Sequence, residues 1–265
     1  MPPRAAVLNV MIGAAEKAAK ALKRDFGEIE NLQVSRKGPS DFVSAADVKT
    51  EQHLVAELTK ARPGFGFQLE EGGVIAGSDG EHTWIIDPID GTTNFLHGIP
   101  HFAISIGLKR GDDIIAGLVY NPITDDMFIA EKNGGAFHNN RRLRVSARTR
   151  LDDAVIATGI PHKGRGDHEE FIEQSRRVMA ATAGLRRFGT ASLDLAFVAA
   201  GRFDGFWEMA LQPWDIAAGI LLVTEAGGFV TELRGPGSPM PTGDVLAANP
   251  HLHPQLRDVI LGKAV

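Results

Sequence analysis

Small and apolar residues recur every three or four positions from Ala5 to about Arg24, with lysines between them. The same spacing returns from about Ala45 to Ala61 and stops before Pro63. That period gathers the apolar positions on one face, so both stretches predict amphipathic helices. The rhythm then shortens. T-W-I-I-D at Thr83, F-A-I-S-I-G-L-K at Phe102, D-I-I-A-G-L-V-Y at Asp113 and M-F-I-A-E at Met127 are short runs rich in β-branched and aromatic residues, and they read as strands. Asn133-Gly134-Gly135 and Asn139-Asn140 supply turns, so the middle of the chain predicts an antiparallel meander carrying the two helices.

After about Ser146 strands and helices alternate. A-V-I-A-T-G precedes a polar helix near His168 to Ala181, and L-R-R-F-G precedes the helix S-L-D-L-A-F-V-A-A-G. F-D-G-F-W-E precedes D-I-A-A-G-I-L-L-V-T-E-A-G-G, a helix closed by glycines. F-V-T-E-L and a helix from about Pro254 follow. The expected halves are 1–145, helices on an antiparallel sheet, and 146–265, of α/β type. No Gly/Ser/Pro-rich linker divides them, which predicts one compact unit with a site at the junction. The Gly- and Pro-rich stretch from Arg234 to Thr242 reads as a surface loop.

Composition narrows the chemistry. A chain of 265 residues can bury a core without covalent staples, and with no cysteine it has no disulfide, zinc-thiolate site or thiol nucleophile. No window is apolar for a full membrane span and no leader pattern opens the chain, so a cytoplasmic location without membrane insertion is expected. The net charge of −5 argues against a dedicated nucleic-acid site. An acidic protein that handles phosphate needs a local reversal of sign, which a divalent metal supplies.

The segment W-I-I-D-P-I-D-G-T-T-N-F, Trp84 to Phe95, concentrates the candidate chemistry. Asp87 ends a buried apolar run, Pro88 interrupts the ladder, and Gly91 permits a sharp turn. Asp90 then reads as the cap of a short helix whose first N–H groups face the same side as the carboxylates. Hard oxygen ligands for Mg²⁺ and an anion site would thus lie side by side. Glu70 and Glu71 follow another apolar run, and Asp215 opens the helix after Q-P-W; alone, these would be loop charges and a cap. Together they make a plausible carboxylate cluster. His97 and His101 flank a Gly-Ile-Pro turn and read as structural or exposed. G-I-P-H-K-G-R lacks the Lys-Ser/Thr of a phosphate loop, and neither G-x-S-x-G nor H-E-x-x-H occurs.

W-I-I-D-P-I-D-G-T-T-N-F, with P-W-D-I-A-A-G, E-A-G-G and S-D-F-V-S-A-A-D-V-K, resembles the inositol monophosphatase family of Mg²⁺-dependent, lithium-sensitive phosphatases, over nearly the whole chain. R-R-F-G-T-A-S-L-D-L-A-F-V-A-A-G resembles its bacterial members. The resemblance implies a layered αβαβα fold, two to three Mg²⁺ ions and hydrolysis of a small-molecule phosphate monoester by metal-activated water. Glu70, Asp87 and the carbonyl of Ile89 would hold one ion, and Asp87, Asp90 and Asp215 a second, with a third near Glu70. Glu70 and Thr92 would orient the water, with Asp47 supporting Thr92. The N–H groups of Gly91 and Thr92, and Lys37 unless it is merely solvated, would meet the phosphate. Asp90, the backbone at Ala191, and Glu208 unless it is a structural ion-pair member, would meet the alcohol. G-T-T-N-F favours the monophosphatase branch over those acting on fructose 1,6-bisphosphate, histidinol phosphate or 3′-phosphoadenosine 5′-phosphate. A homodimer is implied. Leu69 departs from the glycine common in relatives and bears on the geometry of the loop from Glu71 to Glu81. A macromolecule-binding regulatory role is the reading of a different class.

Overall fold

The computed structural model describes residues 6–28, 34–38, 41–161 and 166–263, with the backbone alone for 34–38 and 41–43. Its helices are α1 (Ala6–Gly27), α2 (Ala45–Ala61), α3 (Thr92–Leu96), α4 (His168–Ala181), α5 (Ala191–Ala199), α6 (Pro213–Glu225) and α7 (Leu252–Ile260). A hairpin, β1 (Val34–Gly38) and β2 (Asp41–Ser44), leads into α2.

The larger sheet contains β3 (Gly66–Leu69), β4 (Gly73–Ile75), β5 (His82–Asp90), β6 (Ala103–Arg110), β7 (Asp113–Asn121), β8 (Asp126–Glu131), β9 (Gly135–His138) and β10 (Arg141–Arg142). Its order is β10-β9-β8-β7-β6-β5-β3-β4. The expected meander is β5 to β8, all antiparallel. Unforeseen were its extensions: β9 and β10 at one edge, and at the other β3, which runs parallel to β5. The smaller sheet contains β11 (Val155–Thr158), β12 (Gly184–Arg186), β13 (Gly205–Glu208), β14 (Phe229–Glu232) and β15 (Val245–Ala248), in the order β12-β11-β13-β15-β14.

Alternation along the strands builds the layers. On the larger sheet Ile104, Ile106, Leu118 and Ile129 pack with Leu8, Met11 and Leu54 of α1 and α2. Ala103, Val119 and Phe128 face the other way, onto Leu193, Leu195, Ile216 and Leu222 of α5 and α6. On the smaller sheet Ala157, Phe206 and Ala247 meet that same helix pair, while Ile156, Trp207 and Leu246 turn outward onto Val178 of α4 and Leu252 and Leu256 of α7. A period of two on each strand therefore gives five layers, αβαβα. Among the described residues no helix is long and apolar enough to cross a membrane.

Two local expectations need correction. Pro88 does not end its strand: β5 continues to Asp90, and Asp87 pairs with Ser105 while Asp90 pairs with Ala103. β5 thus spends one residue more than β6 over this interval, a bulge that accommodates the missing proline N–H. Asp90 does not cap α3 either. Gly91 occupies that position at φ 93°, a left-handed conformation that a Cβ would strain, and its added Cβ would lie 2.5 Å from Thr190 Oγ1.

Candidate active site

The bulge turns Asp87 and Asp90 out of the sheet's alternation and toward the gap beside α5 and α6. Asp87 Oδ1 accepts from the N–H of Ile89 at 2.9 Å, closing a local turn. Asp90 Oδ2 accepts from the N–H of Ser192 at 2.7 Å, so the first turn of α5 is tied to the end of β5. Thr92 opens α3, and its hydroxyl lies 3.1 Å from Asp47 Oδ1 and 3.0 Å from the carbonyl oxygen of Ile89. Asp47 in turn accepts from the N–H and hydroxyl of Ser44 at 2.8 and 2.6 Å. That is the capping box of α2, which fixes one carboxylate oxygen and leaves the other for Thr92.

Asp215 arrives from the opposite half. It sits in the first turn of α6, where its Oδ2 accepts from the N–H of Gln212 at 2.7 Å. Asp215 is thus not the N-cap, which is Gln212, but the third helical residue of a capping box, and its second oxygen is not used there. Glu70 follows β3 immediately, and its N–H donates to the carbonyl of Ile86, which keeps it level with the end of β5. Glu208 ends β13; a Cβ on Gly159 would come within 1.9 Å of its Oε1, so a glycine there is a steric condition of Glu208's position.

Glu70, Asp87, Asp90, Gly91, Thr92, Ala191, Glu208 and Asp215 line one cavity of about 420 Å³. Asp47 and Ile89 stand behind it, joined to it through Thr92. Lys37 lies on β1, with its side chain outside the described residues. Reading the sequence missed Gly159, Arg187, Thr190, Gln212 and Trp214, which are also part of the wall. Only Arg187 carried a signal, as a cation next to the glycine turn before α5.

Burial is the main reason the cluster holds its protons strongly. It pushes Asp87 well above the ordinary carboxylate value, with Glu70, Asp90 and Asp215 adding to the effect. Asp215 and Glu208 are pushed up to about 8 by burial and then by their acidic neighbours. Asp90 and Asp47 rise to about 6, burial outweighing the hydrogen bonds from Ser192 and Ser44. Glu70, Asp90 and Asp215 all stand close enough to Asp87 to act on its charge. Carboxylates gathered so closely repel one another, and they cannot all be bare at once without a proton or a cation between them.

Among the described residues no three His, Asp or Glu side chains already form a ready-made metal shell. The donor set nevertheless fits a hard divalent cation: the oxygens are anionic and converge on one cavity, and a cation between them would offset their mutual repulsion.

The chain matches the profile of the inositol monophosphatase family over residues 4–263. It belongs to that family. It is 58% identical over 257 residues to an inositol-1-monophosphatase of Rhizobium meliloti, covering 97% of each chain. It is 41% identical to the Nus factor SuhB of Pseudomonas aeruginosa, over 95% of this chain and 98% of that one. The crystal structure of the extragenic suppressor protein suhB from Bartonella henselae superposes with a TM-score of 0.94 at 56% identity, covering 97% of this chain and 98% of the other. The inositol monophosphatase family is one of phosphatases, generally metal-dependent, and membership implies a small-molecule phosphate ester as substrate.

Proposed function

We propose that this chain hydrolyses myo-inositol monophosphates and related polyol or sugar monoesters, with Mg²⁺ as cofactor. The observation that carries the reading is the meeting of Glu70, Asp87, Asp90 and Asp215, from both halves of the chain, in one cavity beside the starts of α3 and α5. Halves 1–145 and 146–265 then work as one unit, since the first supplies three of these carboxylates and the second Asp215.

Glu70, Asp87 and the carbonyl of Ile89 would hold one Mg²⁺, Asp87, Asp90 and Asp215 another, and Glu70 a share of a third. Bound there, the ions would supply Lewis acidity toward phosphate and an acidified water. The protein's own part is orientation. Thr92, held by Asp47, and Glu70 would orient the water. The N–H groups of Gly91 and Thr92, unpaired within the helix as at any helix start, receive phosphate oxygens. Asp90, the backbone at Ala191 and Glu208 receive the alcohol's hydroxyls. Lys37 is assigned to the phosphate side.

The test is phosphate release with Mg²⁺ across inositol 1-phosphate, glycerol 2-phosphate, fructose 1,6-bisphosphate, histidinol phosphate and 3′-phosphoadenosine 5′-phosphate. Inositol 1-phosphate should give the highest kcat/KM; release from none of them would sink the reading, and another winner would reassign the branch. A lithium titration on the best substrate should show inhibition.

A second reading has one observation behind it, the name Nus factor SuhB on a protein 41% identical to this one. Under it, the chain's cellular task is binding a macromolecular partner. Asp90→Asn separates the two: a deletion phenotype rescued by this variant belongs to binding, and one that is not rescued belongs to the phosphatase.

A further inference from the structure

Asp194 lies in the first turn of α5, between the two sheets, with 1% of its surface exposed. Its N–H is spent inside the helix, on the carbonyl of Thr190 at 3.0 Å. Neither of its carboxyl oxygens has a hydrogen-bond partner. Fully buried carboxyls are ordinarily bonded, and an exception asks for a reason.

The reason lies in what surrounds it. Burial first, then the charges of Glu208 and Asp90, push Asp194 well above the usual carboxylate range, while Arg187 pulls the other way. Those three neighbours all line the cavity, whereas Asp194 does not. Helix α5 packs against β13, the strand that ends in Glu208, so the side chain stands behind that part of the wall without a direct bond to it. Ordered water joins polar groups separated in this way where the gap has room for it.

We propose that Asp194 is a positioning residue for specificity: through ordered water it fixes the Glu208 carboxyl at the alcohol end of the cavity. Esters of hydroxyl-bearing alcohols are thereby selected over esters of alcohols without hydroxyls. The proposal rests on the reading of the cavity as a phosphate-ester site. A floating Glu208 would still coexist with a working phosphate end, so the loss falls on discrimination.

Two esters read this out: inositol 1-phosphate, rich in hydroxyls, and 4-nitrophenyl phosphate, which has none on its alcohol. Asp194→Leu should lower the ratio of their kcat/KM values at least tenfold, mainly through KM for the inositol ester. Asp194→Asn, which still bonds water, should recover most of the ratio. Equal losses on both esters, or an unchanged ratio, overturn the proposal and leave the phosphatase reading standing; native protein that cleaves neither ester overturns both. Should the leucine variant not fold, a high-resolution crystal structure of the native protein decides. Water in contact with Asp194 and Glu208 upholds the proposal, and a direct protein partner or a dry gap overturns it.

Discussion

Each carboxyl of the cluster has a different second task, and that is what distinguishes one residue from another. Asp215 is half a helix cap, Asp90 a tether to α5, and Asp47 a tether to Thr92, whereas Asp87 has mainly its acidic neighbours and the Ile89 N–H. Asp87→Asn should therefore remove metal-binding charge with little loss of fold. Phosphate release should fall at least about a hundredfold, since even residues that only orient metal ligands cost 10–100-fold, while circular dichroism stays native. A loss below tenfold would displace Asp87 from the assigned centre. Gly159 tests the other end of the cavity. Gly159→Ala brings a Cβ onto Glu208 and must move one of them. KM for inositol 1-phosphate should rise about tenfold or more, as expected when a polar contact to a hydroxyl is lost, with kcat much less affected. An unchanged KM would mean that Glu208 does not touch the alcohol. Residues such as Asp87 and Asp90 were legible because their chemistry and their turn lie in one short segment. Asp194 was not, because its meaning depends on Glu208 and Arg187, which only the packed layers bring near it.

Elements place these residues by how they begin and end. The starts of α2, α3, α5 and α6 all serve the cavity or its support, and each uses a different device. α2 has a Ser44–Asp47 capping box, α3 a left-handed glycine, α5 a carboxylate from another element, and α6 the Gln212–Asp215 pair. Helix existence was readable from the apolar period, but which residue caps was not. The period leaves ends open by a residue or two, and the cap is chosen by tertiary partners. So Asp90, a good cap by type, went to Ser192, and Gly91 took the cap. Strand pairing was legible where short turns enforce it, as in β6 to β8, and not where β3 joins β5 across intervening chain. Ser44→Ala isolates one device. Loss of the cap should cost about 1 kcal/mol, or roughly 2–4 °C of melting temperature for a domain of this size. It also removes one of the two Ser44 bonds that hold Asp47, leaving only the backbone N–H, so kcat should fall more than that small stability change could explain. A melting shift without a kcat effect would mean that Asp47 does not act through Thr92.

At the scale of the whole molecule, the cluster couples stability to pH and, under the proposed function, would couple it to a divalent cation. In the metal-free protein Asp215 and Glu208 are pushed up to about 8, from ordinary values of 3.8 and 4.5, and Asp47 and Asp90 rise to about 6. Over that interval the folded state binds more protons than the unfolded chain, so stability falls as pH rises. Their contribution is whole below the ordinary carboxylate values and is lost as pH passes through 6 and then 8. Asp79 and Asp113, held below their usual value by His82 and neighbouring backbone N–H groups and by Lys132, act in the opposite sense at pH below about 4, outside this window. A chelated sample should thus melt at progressively lower temperature from pH 5 to pH 8.5. The proposed Mg²⁺ would bind the ionised carboxylates in competition with their protons, so its stabilisation should be small at pH 5 and large at pH 8.5. Asp215→Asn removes one of the titrating groups and one source of repulsion. It should raise the metal-free melting temperature at pH 8.5, flatten the pH profile and weaken the response to Mg²⁺ together. A native profile that is flat or rises over this range would show that the carboxyls are not held together at the expense of stability, and would remove the electrostatic reason for a cation at the centre of the fold.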